Sequence, residues 1–198
     1  MRIMKKLFIC ALLSVASLGA VAERADQYKE TVVTYDSLDA DDVTRTSIVT
    51  GNVVVTKGSL LLKSDKAVIK ETPEGYQQIT LTSHSGKSAT FRQKRDGGPN
   101  LWVEGEAARI EYDQRADVIK LFDNAKIRQL EGAVVTDRFE SEYIAYDSRK
   151  EQLVSRNDAS GVAKPGQGRG TMIIAPRKPA PAAPAGAPAA TPAPPGGQ

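Results

Sequence analysis

The chain has 198 residues, with 27 Lys or Arg against 24 Asp or Glu, and a single cysteine, Cys10. Arg2, Lys5 and Lys6 account for the whole net charge of +3. The rest of the chain is neutral, which argues against nucleic-acid binding, because phosphate contacts need a basic surface.

The N-terminus reads as a secretory signal peptide over residues 1–22: a basic start, an apolar stretch from Leu7 to Leu13, and the small-residue ending Ala20-Val21-Ala22. The apolar stretch falls short of the roughly 20 residues that span a bilayer. Cys10 lies inside the segment expected to be removed, so the exported protein is expected to carry no thiol or disulfide.

From Thr31 onward apolar residues fall in short runs rather than at helical spacing. Examples are Thr31-Val32-Val33-Thr34-Tyr35, Ser47-Ile48-Val49, Val53-Val54-Val55, Leu60-Leu61-Leu62, Ala67-Val68-Ile69, Ile79-Thr80-Leu81, Arg109-Ile110-Glu111-Tyr112 and Val118-Ile119-Lys120-Leu121. Each run of about four to seven residues ends at a turn signal: Gly51-Asn52, Lys57-Gly58-Ser59, Pro73-Glu74-Gly75, Asp96 to Asn100, Gly105, Asp123-Asn124 or Glu131-Gly132. Such spacing predicts an all-β fold.

Internal echoes refine that expectation. Ile110-Glu111-Tyr112-Asp113-Gln114-Arg115 returns 34 residues later as Ile144-Ala145-Tyr146-Asp147-Ser148-Arg149. Gly51-Asn52-Val53 is echoed by Asp123-Asn124-Ala125, and Ser64-Asp65-Lys66 by Ser141-Glu142-Tyr143. Repeated strand-turn-strand units that share one core predict an antiparallel roll folded over into two facing sheets.

Residues two apart in a strand share a face. The alternation directs Val33, Val53, Val55, Leu60, Leu62, Ile69, Phe91, Ile110, Tyr112, Ile119, Leu121, Ile127, Ile144 and Tyr146 inward. Lys63, Lys70, Glu111, Lys120, Lys126 and Arg128 then face solvent. Periodicity leaves open whether the inward set is a closed core or a ligand groove.

Catalytic groupings are not legible. His84, the sole histidine, reads as a solvated turn residue, with no partners for a triad or a zinc shell. Glu104 with Glu106, and Asp39, Asp41 and Asp42, are expected in turns or on outward positions rather than facing each other across a cleft, as a glycosidase would need. Trp102 reads as a strand packing residue before a sugar platform. No cofactor or metal site is expected, and no enzymatic activity. The end of the chain, 161–198, holds nine of the eleven prolines and is expected to be a disordered Pro/Ala/Gly tail, leaving 23–160 as the folded domain.

The runs Val49 to Gly58, Leu62 to Ile69, Ala89 to Gln93, Val103 to Ala107 and Asp123 to Ala125 resemble the recurring strands of the OstA-like family of periplasmic lipopolysaccharide-transport bridge proteins. The likeness covers about residues 31 to 156 in order. Asp123 stands where that family usually has Gly, and Glu142 where it usually has Asp; both are expected at turns or strand starts. The resemblance implies a β-jellyroll (β-taco) in the periplasm whose inward residues take the acyl chains of lipid A. It also implies head-to-tail stacking with copies of itself, with the β-roll subunit of the inner-membrane Lpt complex, and with the periplasmic domain of the outer-membrane Lpt barrel. A lipid-free periplasmic adaptor and a polysaccharide-active β enzyme are the alternatives.

Overall fold

The computed structural model describes residue 26 and residues 29–176, apart from 85 and 99. The signal-peptide reading, Cys10 and the chain beyond residue 176 lie outside the described residues. The described chain forms twelve strands: β1 (Val32–Thr34), β2 (Ser37–Asp41), β3 (Thr46–Lys57), β4 (Leu60–Glu71), β5 (Gln77–Thr82), β6 (Ala89–Lys94), β7 (Leu101–Ala107), β8 (Arg109–Asp113), β9 (Val118–Glu131), β10 (Val134–Asp147), β11 (Gln152–Arg156) and β12 (Thr171–Ile174).

All twelve belong to one hydrogen-bonded sheet, so the two expected facing sheets are halves of a single one. The long strands β4 and β9 frame its centre. One half of β4 reaches β9 through β5 and β8, the other half through β6 and β7. β3 and β10 flank this centre, with β1 and β2 beyond one and β11 and β12 beyond the other.

The sheet breaks along a line that crosses its strands at mid-height. In β3, Gly51 and Asn52 lie opposite Asp65 alone, because Thr50 pairs with Lys66 and Val53 with Ser64. In β9, Asp123 and Asn124 lie opposite Glu142 alone in the same way. Two residues against one is a β-bulge, which bends and twists the strand. All four bulged residues have positive φ, at 79°, 46°, 63° and 56°. A side chain at Gly51 would bring its Cβ within 2.2 Å of Asp36 Oδ2, whereas Asp and Asn tolerate this backbone region better than other side chains. Between the two bulges the line continues through the β5–β6 loop and through Ala108, whose N–H donates to the Asp123 carbonyl at 3.1 Å.

The bend doubles the sheet back on itself. In a flat sheet Gln129 would lie about 36 Å from the Val118 end of β9, which adjoins the β10–β11 turn, at about 3.3 Å per residue. Yet the Arg95 guanidinium donates to Gln129 Oε1 at 3.3 Å and to Glu151 Oε2 at 3.0 Å. The turns at the two ends of the strands therefore meet. We call the bulge line the crease and the meeting of the turns the seam.

Several sequence expectations change here. Gly51-Asn52 and Asp123-Asn124 are bulges inside continuous strands, not turns, which is why β3 and β4 run to 12 residues and β9 and β10 to 14. Asp123 and Glu142 consequently sit mid-strand on the crease, not at turns or strand starts. Gly105 lies in the middle of β7, where a Cβ would come within 2.3 Å of Phe91 Cε1 and 2.8 Å of the Lys126 carbonyl. Asp39 and Asp41 keep their expected outward placement, exposed on the edge strand β2. The stretch expected to be a disordered tail from 161 contains β12, because Thr171 to Ile174 is an apolar run rich in β-branched residues that pairs with Asp137 to Glu140 on the edge of β10.

The 34-residue echo is a repeated hairpin turn. The carboxylates of Asp113 and Asp147 accept the N–H three residues on, from Ala116 at 3.0 Å and Lys150 at 3.1 Å. Each turn then closes on an acid at positive φ, Asp117 at 56° and Glu151 at 50°. The two turns are tied together, since Ser148 Oγ donates to the Asp117 carbonyl at 2.9 Å and Arg149 to the Arg115 carbonyl at 2.6 Å.

Candidate functional site

The inner surface between the two halves is aliphatic because alternation puts one apolar side chain of every pair on that face. Of the fourteen residues expected to point inward, Val53, Val55, Leu60, Leu62, Phe91, Ile110, Tyr112, Ile119, Leu121, Ile127, Ile144 and Tyr146 are buried at 3% exposure or less. Val33 and Ile69 are partly buried and pack against that cluster. Val49, Ile79, Leu81, Val103 and the alanines at 67, 89, 107 and 125 complete it. Contacts cross between the halves: a Cβ at Gly105, in one half of the sheet, would lie 3.0 Å from Leu121 Cδ2, in the other.

Among the described residues, the inside face carries Ser64 at the crease and its larger polar side chains near the seam. Lys57 is 2% exposed and Gln93 1%. Lys57 continues the inward parity of Val53 and Val55, and Gln93 that of Phe91. That parity was the available signal; the turn composition around Lys57 hid it. Desolvation holds the Lys57 amine below its usual range, opposed by the charges of Asp117 and Asp26. Asp117 is buried and accepts the Tyr112 hydroxyl at 3.1 Å. Burial and the neighbouring Asp117 charge push the Tyr112 phenol far up, so it stays a neutral donor at any physiological pH. At the same end Asp26 accepts the Ser59 N–H at 2.7 Å.

The outer face is charged. Lys63, Lys70, Lys126 and Arg128 are exposed, while Glu111 and Lys120 are half-buried. Glu104 pairs with Arg92 and with Arg128 at 3.1 Å, and Glu106 with Lys126 at 3.1 Å. Those pairs line an outer hollow of about 490 Å³ with Lys63, Arg138 and Glu140. Glu104 and Glu106 thus share one face of β7 and point away from the interior, so they cannot act as a facing acid pair. Trp102 is half-exposed on the same face with the Arg92 guanidinium 4.3 Å from its ring centroid. His84 is exposed and lies 2.8 Å through Nδ1 from Asp65 Oδ2. The backbone N–H and ring of His84 hold the Asp65 carboxyl below its ordinary range. Among the described residues no group of three or more His, Cys, Asp or Glu could hold a metal ion.

The site is therefore a shut apolar interior with a polar seam and a charged exterior. It has the chemistry to hold alkyl chains and offers no arranged nucleophile, base or ligand set.

Comparison with known proteins gives this interior its context. Residues 32–152 match the family described as LptA/(LptD N-terminal domain) LPS transport protein. The chain is 32% identical over 168 residues to the lipopolysaccharide export system protein LptH of Pseudomonas aeruginosa, covering 82% of this chain and 90% of that one. It is 31% identical over 132 residues to the lipopolysaccharide export system protein LptA of Escherichia coli, covering 67% and 70%. The LptA of Haemophilus influenzae is 28% identical over 171 residues, 86% of this chain and 91% of the relative. The crystal structure of Pseudomonas aeruginosa LptH, the LptA-homologous periplasmic component of the lipopolysaccharide transport device, superimposes with a TM-score of 0.66 at 25% identity, over 76% of this chain and 99% of that one. With the fold, the aliphatic interior and the matched span in agreement, the chain belongs to the LptA/(LptD N-terminal domain) family of lipopolysaccharide-transport proteins.

Proposed function

We propose that the protein is a passive periplasmic carrier that shelters the acyl chains of lipopolysaccharide between the two halves of its folded sheet, with Val55, Leu62, Phe91, Ile119, Leu121 and Ile127 among the contacting residues. The observation that carries this reading is the largely aliphatic core cluster between the two halves, inside a member of a lipopolysaccharide-transport family. Burying alkyl chains is worth about 0.8 kcal/mol per methylene, so one chain of about a dozen carbons contributes on the order of 10 kcal/mol. Release into water would be correspondingly slow. Passing lipid along abutting interiors avoids that exposure, so the carrier is expected to stack end to end through its sheet edges, with copies of itself and with β-roll domains of the inner- and outer-membrane Lpt complexes. The driving work belongs to a partner.

A second reading has one observation in its favour. The interior packs on itself, as it would in a lipid-free adaptor that binds partners through its edges alone. Native mass spectrometry of the mature protein after incubation with lipopolysaccharide separates the two. The carrier yields a lipid adduct, which Ile127→Asp abolishes and the outer-face substitution Lys126→Ala leaves intact. No adduct in the unmodified protein favours the adaptor, and equal loss in both variants sinks the assignment of faces.

A further inference from the structure

We propose that the roll admits lipid by parting along its seam, and that the ion pair between Arg95 and Glu151 is the closure that must release first. The inference rests on the carrier reading. With the ends of the roll abutting neighbouring copies in a stack, entry from the side is left to the crease or the seam, and the crease cannot be the place, because β3, β4, β9 and β10 run through it as continuous chain held by ladder hydrogen bonds. The seam has no ladder: the turns that meet there belong to strands that are not sheet neighbours, since β6 pairs only with β4 and β7 while β10 and β11 pair with each other at the opposite end. Among the described residues, side chains alone hold it.

The chemistry of those side chains suits a contact that has to come apart. Arg95 and Glu151 are largely withdrawn from solvent, with side chains 18% and 31% exposed, and meet at 3.0 Å. Their remaining polar atoms, Arg95 Nε and Glu151 Oε1, are buried without a partner, as is Oε1 of Gln93 two residues before Arg95. A buried pair loses in desolvation much of what it gains by attraction, and buried polar atoms left unpaired favour any state that hydrates them. Lys57, on the β3 side, faces the charges of Asp117 and Arg149 on the far turns and carries its own desolvation penalty. The pair thus holds the seam only weakly, at a boundary that no backbone hydrogen bond crosses among the described residues.

The test measures uptake of fluorescently labelled lipopolysaccharide by the mature protein. Arg95→Ala and Glu151→Ala are each expected to load about two- to fivefold faster, the factor that a partly exposed pair worth up to about 1 kcal/mol commands. The swapped variant, Arg95→Glu with Glu151→Arg, restores the slower rate if it is the pair that matters. Bridging Arg95→Cys to Glu151→Cys with a short bis-maleimide stops uptake, while protein bridged after loading keeps its lipid. A second readout needs no lipid: a thiol reagent labels Leu62→Cys faster when Arg95→Ala is added. Uptake by the bridged protein at the rate of the unbridged one overturns the seam and leaves the carrier standing. No uptake by any form, the unmodified protein included, overturns the carrier reading itself.

Discussion

At Gly105 the packing leaves no room for a methyl group. The Cβ of Gly105→Ala would press on the Phe91 ring, which can turn, and on the Lys126 carbonyl, which is fixed in the β7–β9 ladder. The expected cost is about 1–3 kcal/mol, the usual penalty for overfilling a packed interior. A urea titration should show it as a lowered midpoint with unchanged slope. The glycine itself was visible in the sequence; its reason was not, because a glycine demanded by close approach and one demanded by a turn look alike until the neighbours are known. The inward aliphatic residues were legible for the opposite reason. Period-two alternation records which side of a strand a residue occupies, and one apolar face settles the rest. Lys57 and Gln93 obey that parity too, yet their polarity made the seam look like ordinary turns.

The segment between β11 and β12 is built as a small polar loop. Asn157 donates through Nδ2 to the Lys164 carbonyl at 2.7 Å and accepts the Lys164 N–H at 3.0 Å. Inside it the Asp158 carboxyl is held at about 2, below the usual 3.8, first by the Ser160 hydroxyl, then by the Lys164 side chain and the Ser160 N–H. A carboxylate whose pKa is depressed by folding stabilises its loop fully above the unfolded value and loses that contribution as pH falls through the folded one. The loop should therefore loosen between about pH 3.8 and about pH 2 and not above. Amide exchange at Gly161, whose N–H donates to the Asp158 carbonyl at 3.0 Å, should report it. Asp158→Asn should flatten the response; an unchanged response would place the titration elsewhere. The strand that follows this loop escaped the sequence reading because Pro and Gly dominate the surrounding composition, and a four-residue strand needs only one free edge to form.

Across the molecule, the sheet ends in two edges, β1 with β2 on one side and β11 with β12 on the other. Each exposes apolar side chains: Val32, Tyr35 and Leu38 at the first, Val154, Met172, Ile173 and Ile174 at the second. Unpaired edges with apolar neighbours invite strand addition. Small-angle scattering of the mature protein should show particles that lengthen with concentration while their cross-section stays constant, as end-to-end stacking requires. Met172→Lys with Ile174→Lys should shorten them. A monomer at every concentration, or growth in cross-section, would remove stacking from the proposal.

The sequence by itself determined the all-β class, the identity of the inward face and the family, since these depend on local alternation and on short strand motifs that survive without their neighbours. Only the tertiary structure decided that the Gly-Asn and Asp-Asn pairs crease long strands instead of ending short ones, and that Arg95 and Glu151, 56 residues apart, close a seam. The physical reason is that a bulge and a turn use the same positive-φ residues, and the difference lies in whether the partner strand carries on past them. A contact across the seam follows from where the crease falls in every strand at once, which no single stretch of sequence contains.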